Sequence, residues 1–281
     1  MSNSLKNQCS EYLLEQISAA LSALHEKKPL VHHITNDVTV NDCANITLAI
    51  GGSPVMAPSI DESAEMAACA DALVLNIGTL DKRSIESMIH AAKAANELSI
   101  PVVLDPVGVG ATALRTESAR KLIENARFAV VRGNASEIML LAGECAGIKG
   151  VDSSESGMEA LGSAIKLSKS LSCTVAVTGA VDIIVSGEKA VFIKNGTPML
   201  SRVTGTGCMC TSLIGAFCGS IRDPFIGAAA GIMSMGISGE VAKSMLKEEE
   251  GTGTFRIRLF DSVSNLTPQR LREMGDISCE K

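Results

Sequence analysis

Short, uninterrupted apolar runs alternate with amphipathic segments along most of this 281-residue chain, and this rhythm constrains the fold more than any other feature. Apolar runs without polar alternation are typical of strands buried on both faces, and helical segments between them are typical of parallel-sheet crossovers. The runs that predict strands are 30–34, 72–77, 101–105, 128–132 and 173–178. The chain is therefore predicted to form an α/β domain spanning residues 1–281, with a mostly parallel sheet and helices on both faces.

Helical periodicity fills the segments between these strands. The predicted helices are 11–26, 41–50, 82–99, 116–125, 136–142 and 155–171. Two short runs, 183–186 and 190–194, are joined by Gly187-Glu188 and predict an antiparallel hairpin at the sheet edge. The last third of the chain is predicted to be nearly all helical, with helices over 207–220, 224–247 and 254–274.

Composition and charge exclude several classes of partner. Aromatic residues make up 2% of the chain and Trp is absent, whereas proteins that bind single-stranded nucleic acid stack the bases on aromatic rings. The net charge of −6 gives no general attraction to nucleic acid or to anionic lipid. No apolar run approaches the length of a transmembrane helix, so no membrane association is expected.

Nine cysteines are spaced irregularly, without a CxxC pair, behind a polar N-terminal segment that lacks the apolar core of a secretion signal. An odd, irregular set of this kind is typical of a cytoplasmic protein with reduced thiols and argues against a disulfide framework. Each cysteine is expected to be a small buried hydrophobe. The nine positions are 9, 43, 69, 145, 173, 208, 210, 218 and 279.

Polar residues and glycines follow the predicted strands at their carboxyl ends, where parallel sheets bind ligands. These residues are Asn76-Ile77-Gly78, Asp105-Pro106, Arg132-Gly133-Asn134 and Thr178-Gly179. Asp105 could hold a metal or a substrate hydroxyl, or it could accept hydrogen bonds from loop amides. Arg132 could clamp a phosphate, or it could be an ordinary surface arginine.

The segment Thr204-Gly205-Thr206-Gly207-Cys208 opens an apolar helix, and its glycines allow backbone amides to surround an anion at the positive end of that helix. The alternative interpretation is a flexible helix cap. A thiol in the first turn is expected to have a lowered pKa, which would let Cys208 act as a base or nucleophile.

Asn134 and Glu137 lie three residues apart at a predicted helix start, and therefore on one face. An amide oxygen and a carboxylate so placed suit Mg²⁺, directly or through water. The competing interpretation is a capping box, in which Asn134 caps the helix and Glu137 reaches back.

Two nucleotide-binding sequence patterns are relevant to this chain. The chain has no Gly-Lys dipeptide, which excludes a P-loop. The segment 108–113 fits G-x-G-x-x-A, but it lies mid-chain and the next predicted strand ends in Arg132 instead of an acidic residue, so a dinucleotide site is disfavoured. A zinc site is also disfavoured, because His32 and His33 are adjacent on a strand and face opposite ways.

Several long segments, in order, give the chain its resemblance to a known family. They include PLVHHITNDVTVNDCAN at 29–45, GGSPVMAPS at 51–59, LVLNIGTL at 73–80, PVVLDPVGVGAT at 101–112, VVRGNASEI at 130–138, VAVTGAVDII at 175–184 and VTGTGCMCTSLIGAF at 203–217. The chain resembles the hydroxyethylthiazole kinases of thiamin salvage, and with its helical C-terminal part the resemblance covers nearly the whole sequence. It implies a ribokinase-like three-layer sandwich.

The resemblance also implies an activity and a set of site residues. The reaction would be MgATP-dependent phosphorylation of the hydroxyethyl group of 4-methyl-5-(2-hydroxyethyl)thiazole in a cytoplasmic homotrimer, with a neighbouring chain completing the thiazole pocket. The implied roles fall on Met56, Asn36 and Gly205 for the thiazole, Gly205, Thr206 and Gly207 for an anion hole, Arg132 and Thr178 for ATP, Asp105 and Glu137 for Mg²⁺, and Cys208 where most ribokinase-like kinases carry an aspartate base.

Three rival functions stay open at this point. One is another ribokinase-like small-alcohol kinase, such as a hydroxymethylpyrimidine kinase, from which the GTGC and PVMAPS segments distinguish this chain. A second is a nicotinamide-dependent oxidoreductase that uses the segment 108–113. A third is a thiazole-binding protein without catalysis, which would not need the metal and phosphate groups of Arg132, Glu137 and Asp105.

Overall fold

A computed structural model describes residues 3–144 and 153–280. Its nine strands form one sheet in the order β2-β1-β3-β4-β5-β6-β7-β8-β9. The strands are β1 (Leu30–Ile34), β2 (Ser53–Met56), β3 (Ala72–Asn76), β4 (Val102–Asp105), β5 (Val130–Asn134), β6 (Thr174–Thr178), β7 (Asp182–Ser186), β8 (Lys189–Ile193) and β9 (Ile277–Glu280). The helices are α1 (Asn3–Lys27), α2 (Val40–Ala49), α3 (Ser63–Cys69), α4 (Lys82–Glu97), α5 (Ala113–Asn125), α6 (Ala135–Leu141), α7 (Ser153–Leu171), α8 (Thr206–Ser220), α9 (Pro224–Ser244), α10 (Thr252–Ser264) and α11 (Pro268–Met274), with a 3-10 turn at Leu200–Arg202.

The sheet is parallel from β2 through β6 and antiparallel from β6 through β9. The prediction of a mostly parallel sheet is therefore confirmed, and so is the β7–β8 hairpin. The hairpin does not form the edge, however, because the C-terminal strand β9 pairs with β8 outside it. The sequence analysis placed no strand there, since a four-residue run has little periodicity of its own.

Two apolar cores lie on opposite faces of the sheet. Successive strand residues point to opposite faces, so Val74 packs in one core while Leu73 and Leu75 pack in the other. The first core includes residues of α1, α8, α9 and α10, and the second includes residues of α4, α5 and α7. Helices thus cover both faces of the sheet, as the continuous apolar strands predict.

The observed elements differ from the predicted ones at three further places. Strand β2 and helix α3 are not predicted from the sequence. Pro54 interrupts the apolar pattern of β2 and is tolerated there because β2 is an edge strand, and α3 has only seven residues. The helix predicted over 254–274 is instead two helices, α10 and α11. Pro268 begins the second of them, with Thr267 accepting a hydrogen bond from Arg270 N as its cap.

Helix α9 is long and apolar enough to cross a membrane by length and composition, but most of it is buried within the structure. It packs closely against α8: a Cβ added at Gly231 would lie 2.7 Å from the backbone nitrogen of Ile214. The apolar character of α9 is therefore explained by its position between other helices in the core.

The expectation that all the cysteines are free is wrong for two of them. Cys9 on α1 and Cys279 on β9 form a disulfide that joins segments 270 residues apart. Free thiols are observed at 43, 69, 173, 208, 210 and 218, of which Cys69 is exposed. The remaining position, Cys145, lies outside the described residues.

Candidate active site

The polar carboxyl ends of the strands meet at one edge of the sheet. In register, Asn76 on β3 lies beside Asp105 on β4, and Asn134 on β5 lies beside Thr178 on β6. Helix α8, which begins at Thr206, starts at the same edge. Its residue Thr211 donates a hydrogen bond to Asp105. The sequence-based expectation that these groups converge is confirmed.

Asp105 is fully buried at the centre of this edge. Its Oδ2 atom accepts hydrogen bonds from Asn76 Nδ2 at 3.0 Å and Thr211 Oγ1 at 2.7 Å, and lies 3.6 Å from Arg132 Nη1. The Oδ1 atom is buried without a partner among the described residues. Burial raises the pKa of Asp105, and the nearby Arg132 charge opposes that rise.

Cys208 lies in the first turn of α8, as predicted, and its Sγ atom receives two amide hydrogen bonds. Asn36 Nδ2 donates at 3.3 Å and Asn76 Nδ2 donates at 3.2 Å. The prediction of a lowered pKa is wrong: burial, reinforced by the negative charge of Asp105, raises the pKa of the Cys208 thiol. Desolvation of a thiolate outweighs its attraction to the helix N-terminus and the two amides.

The backbone at the start of α8 requires glycine at one position, and a second glycine makes room for a neighbouring side chain. Gly205 has φ +87°, and a Cβ there would lie 2.5 Å from Thr39 Cγ2. A Cβ at Gly207 would lie 2.8 Å from Arg132 Nη1, so glycine lets the guanidinium pack against the helix terminus. Thr206 Oγ1 donates to Leu200 O at 2.9 Å, which leaves the backbone amides of this turn as the groups that can bind an anion.

A cavity of about 540 Å³ lies beside this helix terminus. Four residues predicted to contact ATP or its phosphates line it, namely Arg132, Thr178, Thr206 and Gly207. Arg132 Nη2 donates to Thr178 Oγ1 at 2.7 Å, which holds the guanidinium at the cavity wall. The apolar lining of the cavity includes Ile232 and Met235, and no aromatic residue is among the described residues that line it.

Glu137 forms the capping box that the sequence analysis weighed against a metal site. Its Oε2 atom accepts from Asn134 N at 2.8 Å, while Asn134 Oδ1 accepts from Glu137 N at 3.0 Å. Its Oε1 atom accepts from Gly108 N at 2.7 Å. Both carboxylate oxygens are thus engaged by backbone amides, which leaves Asp105 Oδ1 as the unengaged oxygen of the two predicted metal ligands.

The predicted thiazole contacts lie at the far side of the same edge. Asn36 follows β1 and joins the central cluster, because its Nδ2 atom also donates to Asn76 Oδ1 at 3.0 Å. Met56 ends the edge strand β2, in register with His33, and is half-buried. Neither Met56 nor Asn36 lines the cavity of about 540 Å³, so the predicted thiazole contacts lie outside it.

Three residues of this site had no role in the sequence analysis. Asn76 was noted only as a strand end, and Asp182, at the start of β7, was not singled out. Asp182 lines the cavity, and burial raises its pKa to about 6. Thr211 is one of the few polar residues on the mostly apolar helix α8, four positions after Gly207, and this was the signal that could have identified it.

Residues 21–269 match the family model described as the hydroxyethylthiazole kinase family. The chain belongs to the hydroxyethylthiazole kinase family. The resemblance stated from the sequence is thereby confirmed. The hydroxyethylthiazole kinase of Clostridium beijerinckii is 54% identical, covering 93% of this chain and 96% of that protein. The enzyme of Alkaliphilus oremlandii is 52% identical, covering 94% and 98%.

Solved structures agree with the family assignment. The hydroxyethylthiazole kinase of Pyrococcus horikoshii superposes with a TM-score of 0.86 at 37% identity, covering 94% of this chain and 99% of that one. A pyridoxal kinase of Bacillus subtilis, solved as an ADP complex, superposes with a TM-score of 0.57 at 19% identity, covering 75% and 91%. The second likeness concerns the fold alone, and together the two confirm the ribokinase-like three-layer α/β fold.

Proposed function

We propose that this member of the hydroxyethylthiazole kinase family transfers the γ-phosphoryl group of ATP to the hydroxyethyl group of 4-methyl-5-(2-hydroxyethyl)thiazole, as a cytoplasmic kinase of thiamin salvage. The observation that carries the proposal is the cluster at the start of α8. There a buried carboxylate, a thiol and an arginine converge on a helix N-terminus, between a cavity and the end of strand β1. We assign this function to one domain formed by the whole chain.

In this proposal the nucleotide lies in the cavity of about 540 Å³ and the thiazole lies on the opposite side of Cys208. Thiazole contacts come from Met56 and Asn36, and the close approach of the substrate requires Gly205. The substrate oxygen bonds to the γ-phosphorus, the bond from that phosphorus to the ADP oxygen breaks, and the hydroxyl proton passes to the thiolate form of Cys208 or to an oxygen of the transferred phosphoryl group.

The positive groups of the site act on the phosphates. Arg132, held by Thr178, and the backbone amides of Thr206 and Gly207 stabilise the charge on the transferred group. Phosphoryl transfer depends mainly on position and electrostatics, so a strong base is not needed. Burial raises the pKa of Cys208, so the thiol is mostly protonated near neutral pH; it orients the substrate hydroxyl, and only its minor thiolate form can accept the proton.

The donor set fits Mg²⁺ in part. Asp105 Oδ1, buried and without a partner among the described residues, would bind the ion directly. Glu137, with both oxygens engaged, would contact it through water. Bound Mg²⁺ neutralises phosphate charge, and it is usually held by one or two carboxylates, waters and the phosphates themselves. Arg132 lies 3.6 Å from Asp105 Oδ2, so the two opposite charges hold each other in position beside the proposed phosphate site.

We also propose a homotrimer in which a neighbouring chain completes the thiazole pocket. The support is three exposed apolar side chains on segments near that pocket: Val38, Leu48 and Ile257 are 65%, 57% and 63% exposed. Val38 follows Asn36 by two residues, and helices α2 and α10, which carry Leu48 and Ile257, pack together. Covering such exposed apolar side chains is what a subunit interface would do.

The activity is tested by measuring ADP release from ATP with and without the hydroxyethylthiazole, with a hydroxymethylpyrimidine as the comparison alcohol. Thiazole-dependent ADP release is expected, and its absence would contradict the kinase assignment. Release that depends on the pyrimidine alone would favour the rival small-alcohol kinase. Arg132→Met is expected to weaken ATP binding about 10-fold or more, whereas the exposed Arg83→Met serves as the matched control.

The assembly is tested by light scattering after size-exclusion chromatography. A mass of three chains is expected for the unmodified protein, and Ile257→Asp is expected to shift it towards one chain and lower thiazole turnover. Leu98→Asp is the control, because Leu98 is 58% exposed at the end of α4, away from this surface. A monomeric and fully active unmodified protein would contradict the proposed trimer.

A further inference from the structure

Arg115 joins two loops at the active edge of the sheet. It lies in the first turn of α5, and its guanidinium donates three hydrogen bonds to backbone carbonyls. Nη1 donates to Ile77 O at 2.9 Å and to Val107 O at 2.8 Å, and Nη2 donates to Gly78 O at 2.8 Å. Ile77 and Gly78 follow β3, and Val107 follows β4, so one side chain connects the ends of two neighbouring strands.

The β3 loop controls the orientation of Asn76. Gly78 N donates to Asn76 Oδ1 at 2.9 Å, which directs the amide nitrogen of Asn76 towards Asp105 and Cys208. Because Arg115 holds the carbonyl of the same glycine, it holds in place the backbone amide that orients Asn76. A Cβ at Gly78 would lie 2.9 Å from Asn36 Cβ, so this loop also packs directly against the second amide that reaches Cys208.

The β4 loop is held in the same way from two sides. Arg115 binds Val107 O, and the next residue, Gly108, donates its N–H to Glu137 Oε1 at 2.7 Å. The Arg115 side chain packs beneath Gly108, where an added Cβ would lie 3.2 Å from Arg115 Cδ. The guanidinium therefore sets the spacing between the loop that orients Asn76 and the loop that follows Asp105.

Arginine suits this position for two reasons. Its planar fork presents several N–H groups in fixed directions, whereas a lysine ammonium is a single flexible point charge. Arg115 makes no ion pair with a carboxylate within residues 3–144 and 153–280, so its hydrogen bonds are directed entirely at the loops. All three of its guanidinium hydrogen bonds go to backbone carbonyls, which is the arrangement expected of a positioning residue.

We propose that Arg115 is a positioning residue for phosphoryl transfer, which aligns the Asn76 amide with Asp105 and Cys208 by holding the ends of β3 and β4 at a fixed separation. The proposal rests on the proposed function of the same site. Displacement of catalytic groups by about 1 Å can lower a rate about 100-fold, so loss of this connection is expected to reduce kcat more than substrate binding.

The test compares Arg115→Met and Arg115→Lys with Arg120→Met, which alters an exposed arginine on the same helix. Arg115→Met is expected to lower kcat about 10- to 100-fold, with both KM values changing less than about threefold. Arg115→Lys is expected to fall in between, because one ammonium cannot hold both loops. Arg120→Met is expected to match the unmodified enzyme. Melting curves identify the variants that fold.

A double-variant cycle with Asn76→Ala separates positioning from general loss of stability. If Arg115 acts through Asn76, adding Arg115→Met to Asn76→Ala lowers kcat much less than adding it to the unmodified enzyme. Unchanged kcat in folded Arg115→Met, or effects that multiply independently, would overturn the proposal. If Arg115→Met does not fold, the same cycle with Arg115→Lys decides in the same way. An unmodified enzyme without thiazole-dependent ADP release would instead overturn the proposed function.

Discussion

The side-chain amide of Asn76 donates to Cys208 Sγ at 3.2 Å across 132 residues of sequence. The same nitrogen donates to Asp105 Oδ2 at 3.0 Å, so one amide lies between the thiol and the buried carboxylate. The raised pKa of the thiol follows from this placement, because burial and the nearby carboxylate both disfavour a thiolate. The consequence for catalysis is that Cys208 is a weak base at neutral pH.

Cys208→Ala is expected to slow thiazole phosphorylation about 2- to 10-fold without abolishing it, because a mostly protonated thiol contributes less than an ordinary general base. Cys208→Asp is expected to raise the rate at neutral pH, since a carboxylate accepts the proton more readily. The measurement is kcat in the ADP-release assay. Cys43→Ala alters a neighbouring buried thiol and is the control. Complete loss of activity in folded Cys208→Ala would show that the thiol is indispensable.

The pH dependence of the same reaction provides a second readout. Because the pKa of Cys208 is raised from its ordinary value of 9.0, kcat is expected to keep rising with pH up to at least that value. Cys208→Ala is expected to flatten the rise. A plateau below pH 8 that persists in Cys208→Ala would assign the titration to another group.

Gly205→Ala is expected to destabilise the start of α8 and to abolish most activity. The left-handed φ of +87° disfavours any side chain, and the new Cβ would lie 2.5 Å from Thr39 Cγ2. Each effect is expected to cost about 1–3 kcal/mol in the free energy of unfolding. Adding Thr39→Ser removes the clashing methyl and is expected to restore part of the stability. Wild-type stability in Gly205→Ala, measured by urea unfolding, would contradict this.

Asp182→Asn is expected to change how stability depends on pH. Burial raises the pKa of Asp182 from 3.8 to about 6, so the folded state holds its proton more tightly than the unfolded state. Stability from this group is therefore present below about pH 4 and is lost as pH rises through about 6. After allowance for partial exposure, the loss is about 1–2 kcal/mol.

Asparagine can keep the hydrogen bond from Gly179 N without carrying a charge. Above pH 6, Asp182→Asn is expected to be more stable than the unmodified protein, and the difference is expected to vanish near pH 4. Unfolding free energies measured across this range decide the matter. A variant less stable at pH 7.5 would mean that the carboxylate makes favourable contacts in its charged form.

Loss of the Cys9–Cys279 disulfide is expected to lower the free energy of unfolding by about 2–5 kcal/mol, because it closes a loop of 270 residues. Cys279→Ser and treatment with a dithiol reductant are expected to give the same lower melting temperature. Cys69→Ser alters an exposed free thiol and is the control. Nine titratable thiols in the unfolded, unreduced protein, instead of seven or fewer, would show that the bond does not form.

Local patterns in the sequence were enough to predict most of the fold. Strands β1, β3, β4, β5 and β6 are five- or four-residue segments, and each contains consecutive apolar residues because helices cover both faces of the sheet. Helix starts were also readable, because caps are formed by residues three apart; Asn134 and Glu137 form such a box. The elements that were missed, β2, α3 and β9, are short and take their stability from neighbours distant in sequence.

The sequence by itself determined the parallel α/β architecture, the glycine-rich start of α8 and the position of Cys208 in its first turn. Only the tertiary structure decided that Asn76, Thr211 and Arg132 surround Asp105, that Cys9 meets Cys279, and that the pKa of Cys208 rises. The physical reason is the sequence separation over which each interaction acts. Secondary structure and caps depend on contacts within a few residues, whereas desolvation, charge pairing and disulfide geometry depend on groups that only the folded chain brings together.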